Sequence, residues 1–478
     1  MMTRFNTPLL LSATLALAAC DMAPRYVRPA MPVPVESPDG PAYGADTASA
    51  TEAEAFADTA WADFFTEPRL RDVIRLSLAN NRDLRVALAN VEQARAQYRV
   101  QRADILPTVA GSGGATYQKS PVGAIGTGGG AAVGGGRFDI YTAQVGISAW
   151  EIDLFGRVRN LTKAAQEQFF AARENRNAAQ SALVAEVATA WLTMAADQDR
   201  LRLARDTEVA FRQTLDLTDA RFKAGVASEL DVRQARTSHD QARADVAQMT
   251  SQVAQDQNAL NLLAGVTVDA GLLPTGLVEQ GVTIDRLPAD LPSTILLHRP
   301  DIAAAEHQLV AANANIGAAR AAFFPKISLT AAFGTMSLGL SGLFNNGSEQ
   351  WSVAPSASLP IFDYGRNAGN LRYAKATQDA MLATYEKTVQ TAFREVADAL
   401  ARRGTIDAQL EAQTSLRDNA QGAYRLSEAR FTKGIDGFLG TLDSQRSYYA
   451  AEQSLVAARL VRETNAVELF RAIGGGLK

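Results

Sequence analysis

The stretch "RFKAGVASELDVRQAR" (residues 221–236) decides the fold, because a degenerate copy of it, "RFTKGIDGFLGTLDSQ" (residues 430–445), occurs later in the chain. In each copy a glycine, Gly225 or Gly434, interrupts a long segment that otherwise has helical periodicity. Glycine readily adopts the left-handed conformation that closes a helix. Each stretch therefore predicts the turn of a helical hairpin.

The repeat extends well beyond these two turns. "WEIDLFGR" (residues 150–157) matches "LPIFDYGR" (residues 359–366) at an offset of 209 residues, which is also the offset between the two tip glycines. Upstream the offset becomes 218, as between Pro107 and Pro325. The extra residues of the first copy fall on "GAIGTGGGAAVGGG" (residues 123–136), which predicts an exposed loop tip. The chain is thus interpreted as a tandem duplication.

This repeat gives the predicted domain organisation. A signal peptide and a lipidated, proline-rich amino-terminal segment, which is expected to be a tether or a surface wrap, precede two homologous repeats. The repeats are joined by a linker and followed by a short tail. The predicted boundaries are 1–19 for the signal peptide, 20–60 for the segment, 61–265 for repeat 1, 266–293 for the linker, 294–474 for repeat 2 and 475–478 for the tail.

Each repeat is predicted to contain three main helices. Apolar residues in the longest of them recur at alternating spacings of three and four, which is typical of coiled coils. At about 1.5 Å per residue such a helix is roughly 100 Å long. The predicted bounds are 84–103, 157–224 and a return helix to 263 in the first copy, and 302–322, 366–433 and a return helix to 473 in the second.

Between the first and second helix of each copy, apolar residues alternate with polar ones. A period of two over about ten residues is typical of a membrane-spanning strand, and equally of a half-buried strand in a sandwich. The residues predicted to share a face are Tyr141, Ala143, Val145, Ile147 and Ala149 in the first copy, and Ile327, Leu329, Ala331, Phe333, Trp351, Val353, Ala357 and Leu359 in the second. Four strands are too few for a closed membrane barrel, so two, three or four chains would have to pool them.

The amino terminus, "MMTRFNTPLLLSATLALAAC", combines one early arginine with an apolar run too short to span a membrane. It therefore predicts a secretory signal that directs export. Cys20 is the single cysteine, so a disulfide within the chain is excluded. "LAAC" resembles a bacterial lipobox, which implies cleavage before Cys20 and attachment of a diacylglycerol to its sulfur.

Composition excludes several classes of function. The net charge is −4, and lysines and arginines are interspersed with acidic residues, so no basic face for nucleic acid is evident. The three histidines stand in no metal-ligand cluster and beside no nucleophile pattern. The glycine-rich insert lacks the ending of a phosphate-binding loop. We therefore expect no enzyme activity, no metal and no cofactor.

Together these features resemble the outer-membrane factor family of TolC-like tunnels, most closely its NodT-type lipoprotein branch, which serves resistance-nodulation-division (RND) efflux systems. The resemblance rests on the two tip stretches, on "WEIDLFGR" and "LPIFDYGR", on "WADFFTEPRLRDVIRLSLANNRDL" (61–84), and on "LPADLPSTILLHRPDIAAAEHQLVAANANIGAARAAFFPKISL" (287–329). It implies a mainly α-helical fold with a membrane β-barrel. A homotrimer would form a 12-stranded β-barrel on a 12-column α-helical barrel, anchored by lipid in the outer membrane and extending into the periplasm.

The resemblance also implies a function, the exit duct of a tripartite pump for drugs or other toxic small molecules. Its tips would dock a periplasmic adaptor and an inner-membrane RND transporter, and would close the passive conduit at rest. Two alternatives stay open. One is the exit duct of a type I protein-secretion system, and the other, which two hairpins and the strand pairs disfavour, is a periplasmic coiled-coil adaptor.

The resemblance assigns the roles of the family's gate residues to only some positions of this chain. Asp443 matches one acidic residue that rings the aperture in the family and is the candidate gate, whereas the second ring position falls on Gly440. Asp436 stands where some members have a basic residue, so the family's bridge from that residue to the position of Asp231 is not expected. Apart from a packing and helix-capping role, the residues around the tip glycines are candidates for adaptor docking: Arg221, Phe222, Val226, Arg430, Phe431 and Ile435.

Overall fold

A computed structural model of the chain describes residues 21–35, 38–43, 59–119, 137–277, 281–284 and 292–477. The predicted signal peptide, the predicted lipidation site Cys20 and the glycine-rich insert lie outside these described residues.

The helices occur in the predicted order, with bounds within two residues of those expected. Two shorter helices near the start of repeat 1 were not predicted. The helices are α1 (Trp61–Phe64), α2 (Pro68–Asn80), α3 (Arg82–Ala103), α4 (Arg157–Lys223), α5 (Glu229–Ala264), α6 (Pro300–Ala321), α7 (Arg366–Thr432) and α8 (Phe438–Ala472). Helices α4 and α7 each contain 67 residues, so each is roughly 100 Å long. None of the helices within the described residues is both long enough and apolar enough to cross a membrane.

The strands form one antiparallel sheet in the order β1-β2-β3-β4. Their bounds are β1 (Val109–Lys119), β2 (Arg137–Ile152), β3 (Lys326–Ser337) and β4 (Glu349–Ser358). The central pairing joins β2 of the first repeat to β3 of the second. Within the described part of the chain, β1 and β4 therefore each pair along one edge only.

The register confirms the predicted alternation. Val145 lies opposite Phe333, and Phe333 lies opposite Trp351, so these apolar residues share one face of the sheet. Gln144 and Gln350 lie opposite Gly334, one residue along, and so belong to the other face. The sheet has an apolar face and a more polar face.

The prediction of which residues share the apolar face of the sheet was wrong at two positions. The register of β2 against β3 shifts between Ile147 and Trp150, and Ala149 has a φ of 49°. Because of this irregularity Trp150, not Ala149, continues the face by lying opposite Leu329. Strand β4 ends at Ser358, so Leu359 lies just outside it.

The chain divides into two compact units, and each contains parts of both repeats. The first unit takes its described residues from 21–29, 92–171 and 306–383, and it contains the sheet. The second takes them from 30–91, 172–305 and 384–477, and it contains the hairpin turns. The two repeats therefore fold together and do not form one compact body each.

Aromatic residues form the centre of the core of the second unit. Phe64 and Phe470 are stacked with ring centroids 4.0 Å apart, and Phe65 meets the edge of Phe64 at 4.9 Å. The indole nitrogen of the buried Trp191 donates to the carbonyl oxygen of Leu272 at 3.2 Å. This cluster joins the carboxyl-terminal helix α8 to the start of repeat 1.

The proline-rich segment packs against the first unit over residues 21–29. The side-chain amide of Asn313 in α6 donates to the carbonyl oxygen of Pro24 at 2.8 Å. A Cβ atom at Gly317 would lie 2.7 Å from the backbone nitrogen of Ala23, so the close approach requires a glycine there. This segment was expected to be a tether or a surface wrap, and residues 21–29 lie against α6 as a surface wrap would.

Candidate functional site

The first hairpin turn closes helix α4 through backbone hydrogen bonds. The N–H of Gly225 donates to the carbonyl oxygen of Phe222, and the N–H of Val226 donates to that of Arg221, both at 2.9 Å. Gly225 has a φ of 77°. This is the Schellman arrangement, in which the residue with positive φ is usually glycine.

The second turn reproduces this geometry. The N–H of Gly434 donates to the carbonyl oxygen of Phe431, and that of Ile435 donates to Arg430, again at 2.9 Å. Gly434 has a φ of 72°. The repeated Arg-Phe-x-x-Gly-Val/Ile pattern is therefore explained by helix termination, as predicted from the glycines.

The two return helices begin differently. In the first tip the Ser228 hydroxyl accepts from the N–H of Asp231 at 3.1 Å, while the Asp231 carboxylate accepts from the N–H of Ser228 at 2.9 Å. This reciprocal capping box satisfies backbone donors at the start of α5. In the second tip Gly437 precedes α8, and its lack of a side chain leaves that start without such a cap.

Arg221 connects the first tip to the second. Its Nη2 donates to the carbonyl oxygen of Phe431 at 2.8 Å, and its guanidinium lies 4.3 Å from the centroid of the Phe431 ring. The carbonyl belongs to the last turn of α7, where it also accepts from the N–H of Gly434 and where a helix carries a partial negative charge. One side chain thus caps the neighbouring helix and covers its aromatic residue.

Arg430 occupies the equivalent position in the second tip but binds within its own turn. Its Nη2 donates to the carboxylate of Asp436 at 2.9 Å, and its Nε donates to the other oxygen of the same carboxylate. The hydrogen bond from Arg430 lowers the pKa of Asp436 below its usual range. The first repeat has Ala227 at the position of Asp436, so it cannot form this ion pair.

The two tip phenylalanines have different surroundings. Phe431 is only 5% exposed, because it packs under Arg221 and beside Phe438 at 5.8 Å. Phe222 is 42% exposed. Phe438 has Glu229 as its counterpart in the first repeat, and its packing role was missed because nothing in the local pattern marks it.

Comparison with known proteins assigns the chain that carries these tips to a family. The sequence model for outer membrane efflux proteins matches residues 73–266 and 291–475. The chain belongs to the outer membrane efflux protein family.

Individual members of this efflux family are similar over nearly their whole length. The chain is 44% identical to the probable efflux pump outer membrane protein SepC of Pseudomonas putida, over 98% of this chain and 96% of that protein. It is 42% identical to the outer membrane protein OprJ of Pseudomonas aeruginosa, over 97% and 94%.

Solved structures agree with this assignment. The open state of the Neisseria gonorrhoeae outer membrane channel MtrE superposes with a TM-score of 0.84 at 38% identity, covering 96% of this chain and 99% of that one. A membrane protein from Pseudomonas aeruginosa gives 0.87 at 41% identity, with 96% and 98% covered. The predicted family and the predicted class of fold are confirmed.

Membership also decides the general function. This efflux protein is an outer-membrane component of an efflux pump, and it extends into the periplasm. The alternative of a periplasmic adaptor was therefore wrong. Among the described residues, no group of three or more His, Asp or Glu side chains could hold a metal ion.

Within this efflux protein, most of the candidate docking and gate residues are exposed at the tips, whereas Arg221 is half-buried. Val226, Ile435 and Phe222 are exposed, whereas Phe431 is buried. The Asp443 carboxylate is exposed on α8 and makes no hydrogen bond or ion pair with the part of the chain that the structure describes.

Proposed function

We propose that three copies of this chain assemble into an exit duct through the outer membrane. The observation that carries this proposal is the four-stranded sheet, whose apolar face spans all four strands while β1 and β4 lie at its edges. Unpaired backbone groups at a sheet edge are costly in lipid, so the edges must meet another chain. Three copies would supply twelve strands, enough for a closed barrel.

The duct receives its cargo from partners. We propose a periplasmic adaptor and an inner-membrane RND transporter as those partners, with the duct itself doing no chemistry. The related proteins TtgF and ArpC of Pseudomonas putida are named for toluene efflux and antibiotic efflux respectively. Toxic small molecules of this kind are the cargo that we propose here.

The hairpin tips carry the proposed gate and docking surface. The exposed Asp443 carboxylates of three copies around a narrow axis would attract cations and repel one another. The apolar side chains of Val226 and Ile435 project at the turns, and with Phe222 they offer an apolar docking surface for the adaptor. Arg221 joins the two tips of one chain, and we propose that this contact helps to keep the duct closed.

Anchoring would come from the sheet and from a lipid. We propose that the sulfur of Cys20 carries a diacylglycerol and that the signal peptide is cleaved before this cysteine, on the lipobox pattern. The diacylglycerol and the membrane-embedded sheet would then be two independent attachments to the membrane. Replacement of Cys20 by Ser should abolish labelling with radioactive palmitate, and unchanged labelling would refute this assignment.

The duct is tested with purified protein in planar bilayers, after native mass spectrometry has established the number of copies. We expect a trimer with low conductance that increases when Arg221 is replaced by Ala. A monomer would overturn the proposal. So would a trimer that never conducts, with or without this replacement.

A further inference from the structure

The turn that follows β2 closes against the corner between α6 and β3. The ring of Phe155 in this turn stacks on Phe324, with centroids 4.7 Å apart and planes 21° from parallel. Beside them Glu151 accepts two hydrogen bonds from Arg157, at 2.8 and 2.6 Å, and lies 3.3 Å from the amine of Lys326. The end of the strand pair of the first repeat thus packs against the start of the strand pair of the second repeat.

Within the described part of the chain, the equivalent turn after β4 does not pack against such a corner. At the offset of 209, Tyr364 corresponds to Phe155, and it is 93% exposed. Ile361 is 95% exposed, and Phe362 contacts Tyr364 at 4.8 Å but is also largely exposed. Three large apolar side chains therefore project from one short turn into solvent.

The equivalent corner before β1 is exposed as well. At the offset of 218, Leu106 corresponds to Phe324 and Val109 to Ile327. Leu106 is 69% exposed, and Val109 is mostly exposed. One chain thus carries an uncovered turn at its second repeat and an uncovered corner at its first.

We propose that these two surfaces cover each other between neighbouring copies of the chain, with Tyr364 of one copy packed on Leu106 of the next. This inference rests on the proposed trimer, in which β4 of one copy pairs with β1 of another. Inside the chain Leu329 lies opposite Trp150, and Ile327 opposite Ile152. The same register between copies places Leu359 opposite Gly111 and Ile361 opposite Val109.

That register has two consequences. Strand β4, which ends at Ser358 in the single chain, extends to Ile361 in the assembly. The turn after it then falls beside the corner before β1, as the turn of Phe155 falls beside Phe324. Pairing of the strand edges and burial of the aromatic turn are therefore one event.

The contact between copies differs in chemistry from the one within the chain. Glu151 corresponds to Pro360, and Lys326 corresponds to Thr108, so the carboxylate and the amine of the internal corner are both absent. The contact between copies is therefore held by apolar burial, which salt does not screen as it screens exposed charges.

The test is cysteine crosslinking in the full-length chain with Cys20 retained. The double variant Leu106→Cys with Tyr364→Cys, oxidised in the membrane, should give bands of two and three chains on denaturing, non-reducing gels. Each single variant and the parent chain should remain at one chain, which controls for reaction through Cys20.

A matched double variant, Leu106→Cys with Trp351→Cys, controls for random collision. Trp351 is exposed on β4 but lies eight residues before Leu359, roughly 25 Å along the strand, so it should not crosslink. The internal pair Phe155→Cys with Phe324→Cys should form no bands above one chain.

Native mass spectrometry separates the possible failures. A trimer in which the Leu106 and Tyr364 cysteines do not crosslink would overturn this contact and would indicate that lipid covers the turn. The proposed duct would not be affected by that result. A chain that stays monomeric would overturn both the contact and the trimer on which it rests. Equal crosslinking of the Trp351 control would also overturn the contact.

Discussion

The guanidinium of Arg221 lies over the ring of Phe431, 4.3 Å from its centroid, and donates a hydrogen bond to the carbonyl oxygen of the same residue. The two residues belong to different repeats, so this single side chain joins the two hairpin turns of one chain. Its counterpart Arg430 is instead held by an ion pair with Asp436 in its own turn.

Removal of this contact should loosen the tips. We expect Arg221→Ala to cost about 1–3 kcal/mol of tip stability, because a charged hydrogen bond and a cation–π contact are lost together. Single-channel recordings should show longer or more frequent openings. Arg221→Lys should resemble the alanine variant in part, since an ammonium lacks the planar group that stacks on the ring.

The equivalent change at the other tip is the control. Arg430→Ala leaves Phe431 covered by Arg221, so its recordings should stay close to those of the parent protein. Openings that increase equally in both variants would contradict a special role for Arg221.

A buried carboxyl group in α5 should make stability depend on pH. Asp256 is almost fully buried, accepts a hydrogen bond from Gln252 at 2.9 Å and has one oxygen without a partner among the described residues. Burial, with the nearby Asp197 carboxylate, raises the pKa of Asp256 above its usual value of 3.8. The ion pair of Asp197 with Arg200, at 2.7 Å, offsets only part of this effect.

The direction of the pH effect follows from that raised pKa. The folded protein favours the protonated carboxyl of Asp256. The stabilisation from this group is therefore complete below the pKa that Asp256 has in the unfolded chain, and it is lost as pH rises through the higher pKa of the folded protein. Asp256→Asn should therefore raise the unfolding temperature at neutral pH and flatten its dependence on pH. The exposed Asp240→Asn on the same helix is the control, and an equal gain there would contradict the assignment.

The aromatic cluster of the second unit should dominate its stability. Phe470 is buried and stacked on Phe64 at 4.0 Å. Phe470→Ala should cost about 3–5 kcal/mol, since it removes buried apolar surface and leaves a cavity. Chemical unfolding followed by tryptophan fluorescence measures this, because Trp191 lies in the same cluster. The exposed Phe344→Ala should have little effect, and a similar loss there would contradict the argument.

The cap of the first return helix gives a local prediction. Ser228→Ala removes the hydroxyl of the capping box and should cost about 1 kcal/mol. Hydrogen exchange should accelerate over the first turn of α5, while α8, which begins without a side-chain cap, should be unaffected. Ser228→Asn keeps an acceptor at the cap and should preserve the parent rates; rapid exchange in that variant would argue against the cap.

Local sequence signals were sufficient for the three main helices of each repeat, the strands and the hairpin turns, but not for the short helices α1 and α2. Gly225 and Gly434 marked the ends of the long helices, because a positive φ at that position favours glycine. The period of two gave the apolar face of the sheet correctly up to Ile147. It failed at Ala149, since an irregularity in register shifts the face without changing the composition of the strand.

Contacts between the repeats were beyond sequence reasoning. Arg221 and Phe431 lie 210 residues apart, and nothing in either motif indicates which hairpin will receive which arginine. Asp436 was recognised as a departure from the family pattern, but its role as the partner of Arg430 depends on the conformation of the turn. The exposure of Phe222 and the burial of Phe431 follow from these contacts and from Phe438.

The proposed gate makes a prediction for ion selectivity. The Asp443 carboxylate is exposed next to the buried Leu442, and a Cβ atom at the nearby Gly440 would touch nothing, so the surface around it is open. A ring of three such carboxylates favours cations in a narrow pore. In a salt gradient, Asp443→Asn should shift the reversal potential toward zero, because the ring loses its charge. Asp407→Asn removes an exposed acid from α7 outside the tip and should leave selectivity unchanged. A duct whose selectivity is the same with Asp443 or Asn at this position does not use the ring as its charge filter.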